Sequence, residues 1–124
     1  MSGKAAAWVF AGLAAGVVAF HLAVIGGAPW GSLTMGGRWP GVVPGPAKGL
    51  SALSALLVAG MAVVMLARAG VLGLRMPRGA VRAVLLLSGL AVVANAVTPS
   101  APERALWLPV TLAMLAAALV VSKA

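Results

Sequence analysis

From residue 5 to residue 28 the chain carries no formal charge, and residues 49–67, 83–97 and 101–122 are nearly as apolar. Four such runs constrain the fold more than anything else in the sequence. At about 1.5 Å of rise per helical residue, some 20 residues cross the roughly 30 Å hydrocarbon core of a bilayer. Lipid also forces every spanning backbone to satisfy its own hydrogen bonds, so long runs of this kind become helices. The expectation is an all-α membrane protein, a four-transmembrane-helix bundle forming one transmembrane domain over residues 1–124, with helices at about 5–27, 49–69, 80–98 and 101–122. Composition agrees: 63% of residues are hydrophobic and 8% charged, against roughly 25% charged in a soluble domain. That little polarity does not cover a water-facing surface.

The first run starts after Lys4, as a signal peptide would, but it exceeds the usual 7–15-residue apolar core and no clean cleavage site follows. It is read as a retained helix. Pro99 stops the third helix. Ser100-Ala101-Pro102-Glu103 reads as a capping box, with Ser100 as N-cap and Glu103 reaching back to the Ser100 amide. Pro102 falls in the first turn, where no helical N–H is needed, and Pro109 is expected to bend the fourth helix. The third run is shortest and contains Asn95; were it to fail to insert, a three-helix chain would result.

The formal charge is +8, from nine Lys/Arg and one acid, Glu103. Four helices place Lys4, Arg68, Arg75, Arg78, Arg82 and Lys123 on one side and Arg38, Lys48 and Arg104 on the other. The excess of Lys/Arg marks the cytoplasmic side, so both termini are expected inside a cell (plasma) membrane. Trp8 would then anchor the inner interface and Trp30, Trp39 and Trp107 the outer one. Arg68, Arg75, Arg78 and Arg82 crowd one short inner loop and are read as lipid contacts that fix topology. Their position beside the apolar runs argues against nucleic acid. With no Cys and a single His, thiolate chemistry is excluded and no metal site or cofactor is expected.

Helices in lipid associate through close contact, and each run offers small residues: Gly12 and Gly16 on the first; Ala52, Ala55, Ala59 and Ala62 on the second; Ser88, Ala91 and Asn95 on the third; Ala113, Ala116 and Ala117 on the fourth. The preferred use is packing within one bundle; the alternative is a homo-oligomer through Gly12/Gly16. Polar side chains collect in the outer half: His21, Ser51, Ser54 and Asn95, with Thr111 a turn deeper. Together with Arg38, Glu103 and Arg104 they outline a candidate outer polar pocket. The preferred reading is structural, with His21 and Asn95 bonding each other or the first loop. The functional reading is a small pocket around His21, the only side chain whose ordinary pKa lies near neutrality.

The first loop, residues 26–48, reads GGAPWGSLTMGGRWPGVVPGPAK. A connection this long is unusual in a compact chain and often functional. Its apolar residues suggest an ordered cap over the outer helix ends, either a short β-hairpin about Gly36-Gly37 or a short helix from Pro29. The pattern Gly27-Ala28-Pro29-Trp30-Gly31, Gly36-Gly37, Pro40-Gly41 and Pro44, with Glu103, Arg104, Trp107 and Pro109 opening the last helix, resembles a group of small four-helix integral membrane proteins of high-GC bacteria. That resemblance covers most of the chain and implies a patterned outer loop; it brings no activity with it. The functional expectation is a non-enzymatic accessory or scaffold component that packs on a larger membrane protein or on itself. The alternatives are an oligomeric small-solute transporter or channel and an outer-face lipid-binding protein. An outer-face lipid enzyme, with His21 as base and Glu103 as acid, is the weakest, because so few ionisable groups are present.

Overall fold

The computed structural model describes residues 1–124. It contains four long helices, α1 (Gly3–Ile25), α2 (Gly45–Arg68), α3 (Arg78–Val97) and α4 (Ala101–Lys123), and no strand. All four are long and apolar enough to cross a membrane. One end of the bundle holds both chain termini and the α2–α3 connection; the other, here the cap end, holds the α1–α2 segment and the α3–α4 turn.

The helix limits follow local chemistry. The Ser2 hydroxyl accepts the Ala5 N–H and starts α1 two residues before the apolar run. Pro46 in the first turn of α2 lets that helix begin at Gly45, so Lys48 lies inside it rather than ahead of it. Ser100 caps α4 by accepting the Glu103 N–H at 3.2 Å. The reciprocal half of the expected capping box is absent: the Ser100 N–H goes to the Thr98 hydroxyl, and the Glu103 side chain turns elsewhere. α4 continues through Pro109.

Packing concentrates on one face of each helix. Ala6, Ala7, Phe10 and Ala14 of α1 meet Met61 and Met65 of α2, Val84 of α3, and Met114, Ala117, Ala118 and Val121 of α4. These fill the terminal half of the bundle. Small residues do bring the backbones together, although not all the expected ones. Ala55 and Ala117 are buried, as are Ala47, Ser51 and Ala118, but Ala59, Ala113 and Ala116 face outward. Gly12 and Gly16 also face outward; a Cβ built on either meets no atom within 4 Å. They take no part in packing this bundle. α1 is flanked by α2 and α4, and α3 packs on α4, whereas α2 and α3 scarcely touch. The bundle is therefore open along the α2–α3 side.

Residues 33–39 do not form the expected hairpin, and no helix starts at Pro29. The segment carries two 3-10 turns, η1 (Gly31–Leu33) and η2 (Met35–Gly37). Met35, Gly36 and Gly37 all have positive φ, at 52°, 70° and 70°. Three left-handed residues in a row curl the chain too tightly for paired strands. Gly31 is required for a different reason. Its N–H donates to the Gly41 carbonyl at 2.8 Å, and a Cβ there would lie 1.7 Å from the Trp39 oxygen.

Candidate functional site

The cap is fastened to the start of α4 by three side chains. The Trp107 indole N–H donates to the Leu33 carbonyl at 2.8 Å. The Glu103 carboxyl accepts the Gly36 N–H at 3.0 Å. The Ser100 hydroxyl donates to the Ser32 carbonyl. Glu103 and Trp107 are four residues apart, hence on one helix face, and together they form the post on which the cap hangs. Glu103 is 7% exposed, so leaving its carboxyl unbonded there would be costly. Gly37 sits against Ser100, where a Cβ would come within 3.1 Å of the serine Cβ. Aromatic contacts complete the joint: the Phe20 ring meets Trp107 edge-on at 4.8 Å and stacks on Trp30 at 6.0 Å.

Beneath this roof lies a cavity of about 770 Å³, within the usual 300–1,000 Å³ of small-molecule sites. Leu33, Thr34, Met35 and Gly36 line its cap end and Met61, Ser88 and Met114 its deep end. Val17, Phe20 and His21 contribute from α1, and Glu103, Trp107 and Thr111 from α4. Leu50, Leu53 and Leu57 of α2 and Ala94 and Val97 of α3 line it while also being exposed on the outside of the bundle. The mouth is thus the gap between α2 and α3, which opens sideways through the bundle wall.

Of the expected pocket residues, His21, Ser54, Asn95 and Glu103 line this cavity. Ser51 does not; it is fully buried, with its hydroxyl unbonded. Arg38 is exposed, its guanidinium 4.7 Å from the Trp39 ring centre. Arg104 donates to the Thr98 carbonyl at 2.8 Å and so closes the end of α3. The preferred structural roles of His21 and Asn95 are not realised. Asn95 donates back to the Ala91 carbonyl of its own helix at 2.8 Å, and His21 Nδ1 is buried without a partner, beside the edge of Phe20. Sequence reasoning missed Ser88 and Thr98 as cavity residues. Ser88 stands seven residues before Asn95, two turns along one face of α3, a spacing that could have linked them.

Trp107, expected in the interfacial belt, points into the protein and serves the cap. Trp39 packs with Phe20, Val24, Val43 and Ala47. Trp8 and Trp30 remain exposed. At the terminal end a second hollow, of about 530 Å³, is lined by Arg68, Arg78 and Arg82, but not by Arg75. Arg68 also caps α4, donating to the Ser122 and Ala124 carbonyls at 3.2 and 3.1 Å.

Four spanning-length helices with a side-opening cavity point to the class of multi-pass helical membrane proteins. Compared with known protein families, curated proteins and solved structures, the chain matches none.

Proposed function

We propose that this chain is a non-enzymatic membrane protein that binds one lipid-soluble amphiphile in the cavity beneath its cap. The observation that carries the reading is the side-opening mouth between α2 and α3, whose leucines face both the cavity and the surroundings of the bundle. A molecule dissolved in the bilayer enters there without crossing water. Its apolar body lies against Leu53, Leu57 and Val58, and its polar group meets the hydroxyls and amide of Ser54, Asn95 and Thr111. No Lys or Arg lines the cavity and Glu103 does, which disfavours an anionic head. A non-enzymatic role fits the site chemistry: Glu103 is occupied with the Gly36 amide, and no lining hydroxyl is hydrogen-bonded to His21.

The cavity is tested by filling it. A brominated long-chain alcohol in the bilayer quenches Trp107 fluorescence in a variant whose other tryptophans are Phe. Ala91→Phe, which projects a ring into the cavity, abolishes the quenching beyond that of free lipid. Equal quenching with and without the ring means that the alcohol never occupied the site.

The charge asymmetry supports an orientation with both termini in the cytoplasm and the cap outside. A second reading, an accessory component of a larger membrane assembly, draws on Gly12 and Gly16, which leave a smooth uncovered strip on α1 suited to another helix. A partner retained in stoichiometric amount through mild-detergent purification, and lost on Gly16→Leu, supports it; a clean monomer refutes it.

A further inference from the structure

The second hollow, at the terminal end, assigns a site of opposite character. Arg68 closes α2, and Arg78 and Arg82 stand on one face of the first turns of α3, four residues apart. All three line the same 530 Å³ space, with Val81, Leu85 and Met76 as its apolar wall. The only acidic side chain in the sequence, Glu103, is at the other end of the bundle. Three arginines thus line one space with no carboxylate side chain among its lining residues, and like charges four residues apart on a helix repel. Arg68 is held in place through Nη2, which donates to the main-chain oxygens of Ser122 and Ala124 at the end of α4, and this leaves its Nε and Nη1 donors available. Pro77 supplies no side-chain cap to α3, so the positive end of that helix faces the same region.

We infer that this hollow is a binding site for the phosphate headgroup of an anionic membrane lipid. Guanidinium forks match phosphate oxygens in shape and charge, and basic pockets between membrane helices take such headgroups. The apolar wall of Val81 and Leu85 continues from the arginines along α3, as an acyl chain attached to the bound phosphate requires. That chain is why the ligand is a lipid rather than a soluble phosphate. The site has a structural consequence: one phosphate held by Arg68 from α2 and by Arg78 and Arg82 from α3 ties together the two helices that otherwise scarcely meet.

The test uses the purified full chain in neutral detergent, titrated separately with phosphatidylglycerol, phosphatidylcholine and inorganic phosphate. Native mass spectrometry counts bound lipid, and thermal unfolding reads stability. The expected result is one phosphatidylglycerol retained in preference to phosphatidylcholine, with a raised Tm. In the double variant R78Q/R82Q its affinity falls at least about tenfold, while Arg75→Gln, outside the hollow, leaves it unchanged. Three outcomes overturn the inference: equal retention of both lipids, an equal loss with Arg75→Gln, or inorganic phosphate stabilising the chain as well as the lipid does. Should R78Q/R82Q not fold, Arg82→Gln alone against Arg75→Gln makes the same comparison. The comparison of R78Q/R82Q with Arg75→Gln separates this site from the cavity under the cap, which none of these arginines lines.

Discussion

Replacing Gly31 by Ala should unfasten the cap while leaving the four helices intact. The new Cβ would stand 1.7 Å from the Trp39 oxygen and 2.7 Å from the Gly41 oxygen, and real Cβ contacts are not shorter than 3.0 Å. The Trp39 carbonyl must therefore retreat by at least 1.3 Å, the difference between 3.0 and 1.7 Å. Both atoms are backbone, so no side-chain rotation relieves the clash. The Gly31–Gly41 hydrogen bond, 2.8 Å long, has only a few tenths of an ångström of slack and is lost. Gly31 is buried, and a buried N–H without a partner costs about 1–3 kcal/mol. Moving Trp39 out of its packing with Phe20 and Val43 adds about 1 kcal/mol. A local loss of about 2–4 kcal/mol corresponds to amide exchange about 30- to 1,000-fold faster at Gly31 and Gly36. Hydrogen exchange on the protein in nanodiscs reads this directly, with circular dichroism to show the helix content unchanged. Wild-type protection of the Gly36 amide in the variant would refute the account of how the cap is held.

Other expectations follow from the same geometry. Trp107→Phe keeps the ring against Phe20 but removes the bond to Leu33, and should lower thermal stability by about 1 kcal/mol. Glu103→Leu leaves the Gly36 N–H without its acceptor and should cost about 1–3 kcal/mol, whereas Glu103→Gln, which keeps an acceptor oxygen, should cost less; equal losses would show that the acceptor is not what matters. Gly12→Ala meets open space and should raise helix stability by about 0.5–1 kcal/mol; a fall in Tm would reveal a neighbour seated on that face. The sequence has no Cys, so single cysteines at the exposed positions Val42 and Lys123 report topology cleanly: an impermeant maleimide added to intact cells should label the first and not the second.

Much of the architecture was legible because lipid imposes simple rules. Long uncharged runs become helices, and Ser100 and Pro99 mark ends through local stereochemistry, whereas the start of α2 at Gly45, four residues ahead of its apolar run, went unread. The candidate site was legible only in part. Polar residues near the loop end of each run pointed to a common layer, and His21, Ser54, Asn95 and Glu103 do share a cavity. Sequence spacing could not tell that Ser51 is buried in the packing and does not line the cavity, because adjacent positions on a helix differ by only about 100° and a small rotation moves one inside. Nor could it tell that Glu103 holds Gly36, since a carboxyl placed for a local capping box is equally within reach of a loop 67 residues away. The hairpin expectation failed at the same level. Gly36-Gly37 permits a tight hairpin turn, but the Trp107, Ser100 and Glu103 contacts draw this stretch into 3-10 turns instead.

What the sequence determined alone is the number of helices, the apolar stretch at the centre of each and the end that carries most of the basic residues, since each depends on local hydropathy and stereochemistry. What the tertiary structure decided is how the helices face one another. Hydropathy is nearly the same all round these helices, so no apolar stripe tells one face from another, and the choice falls to shape. Small buried residues, Ala6 and Ala14 on α1, Ala47 and Ala55 on α2, and Ala117 and Ala118 on α4, let these helices approach closely. Nothing comparable joins α2 to α3, and the gap left there is the mouth of the cavity under the cap.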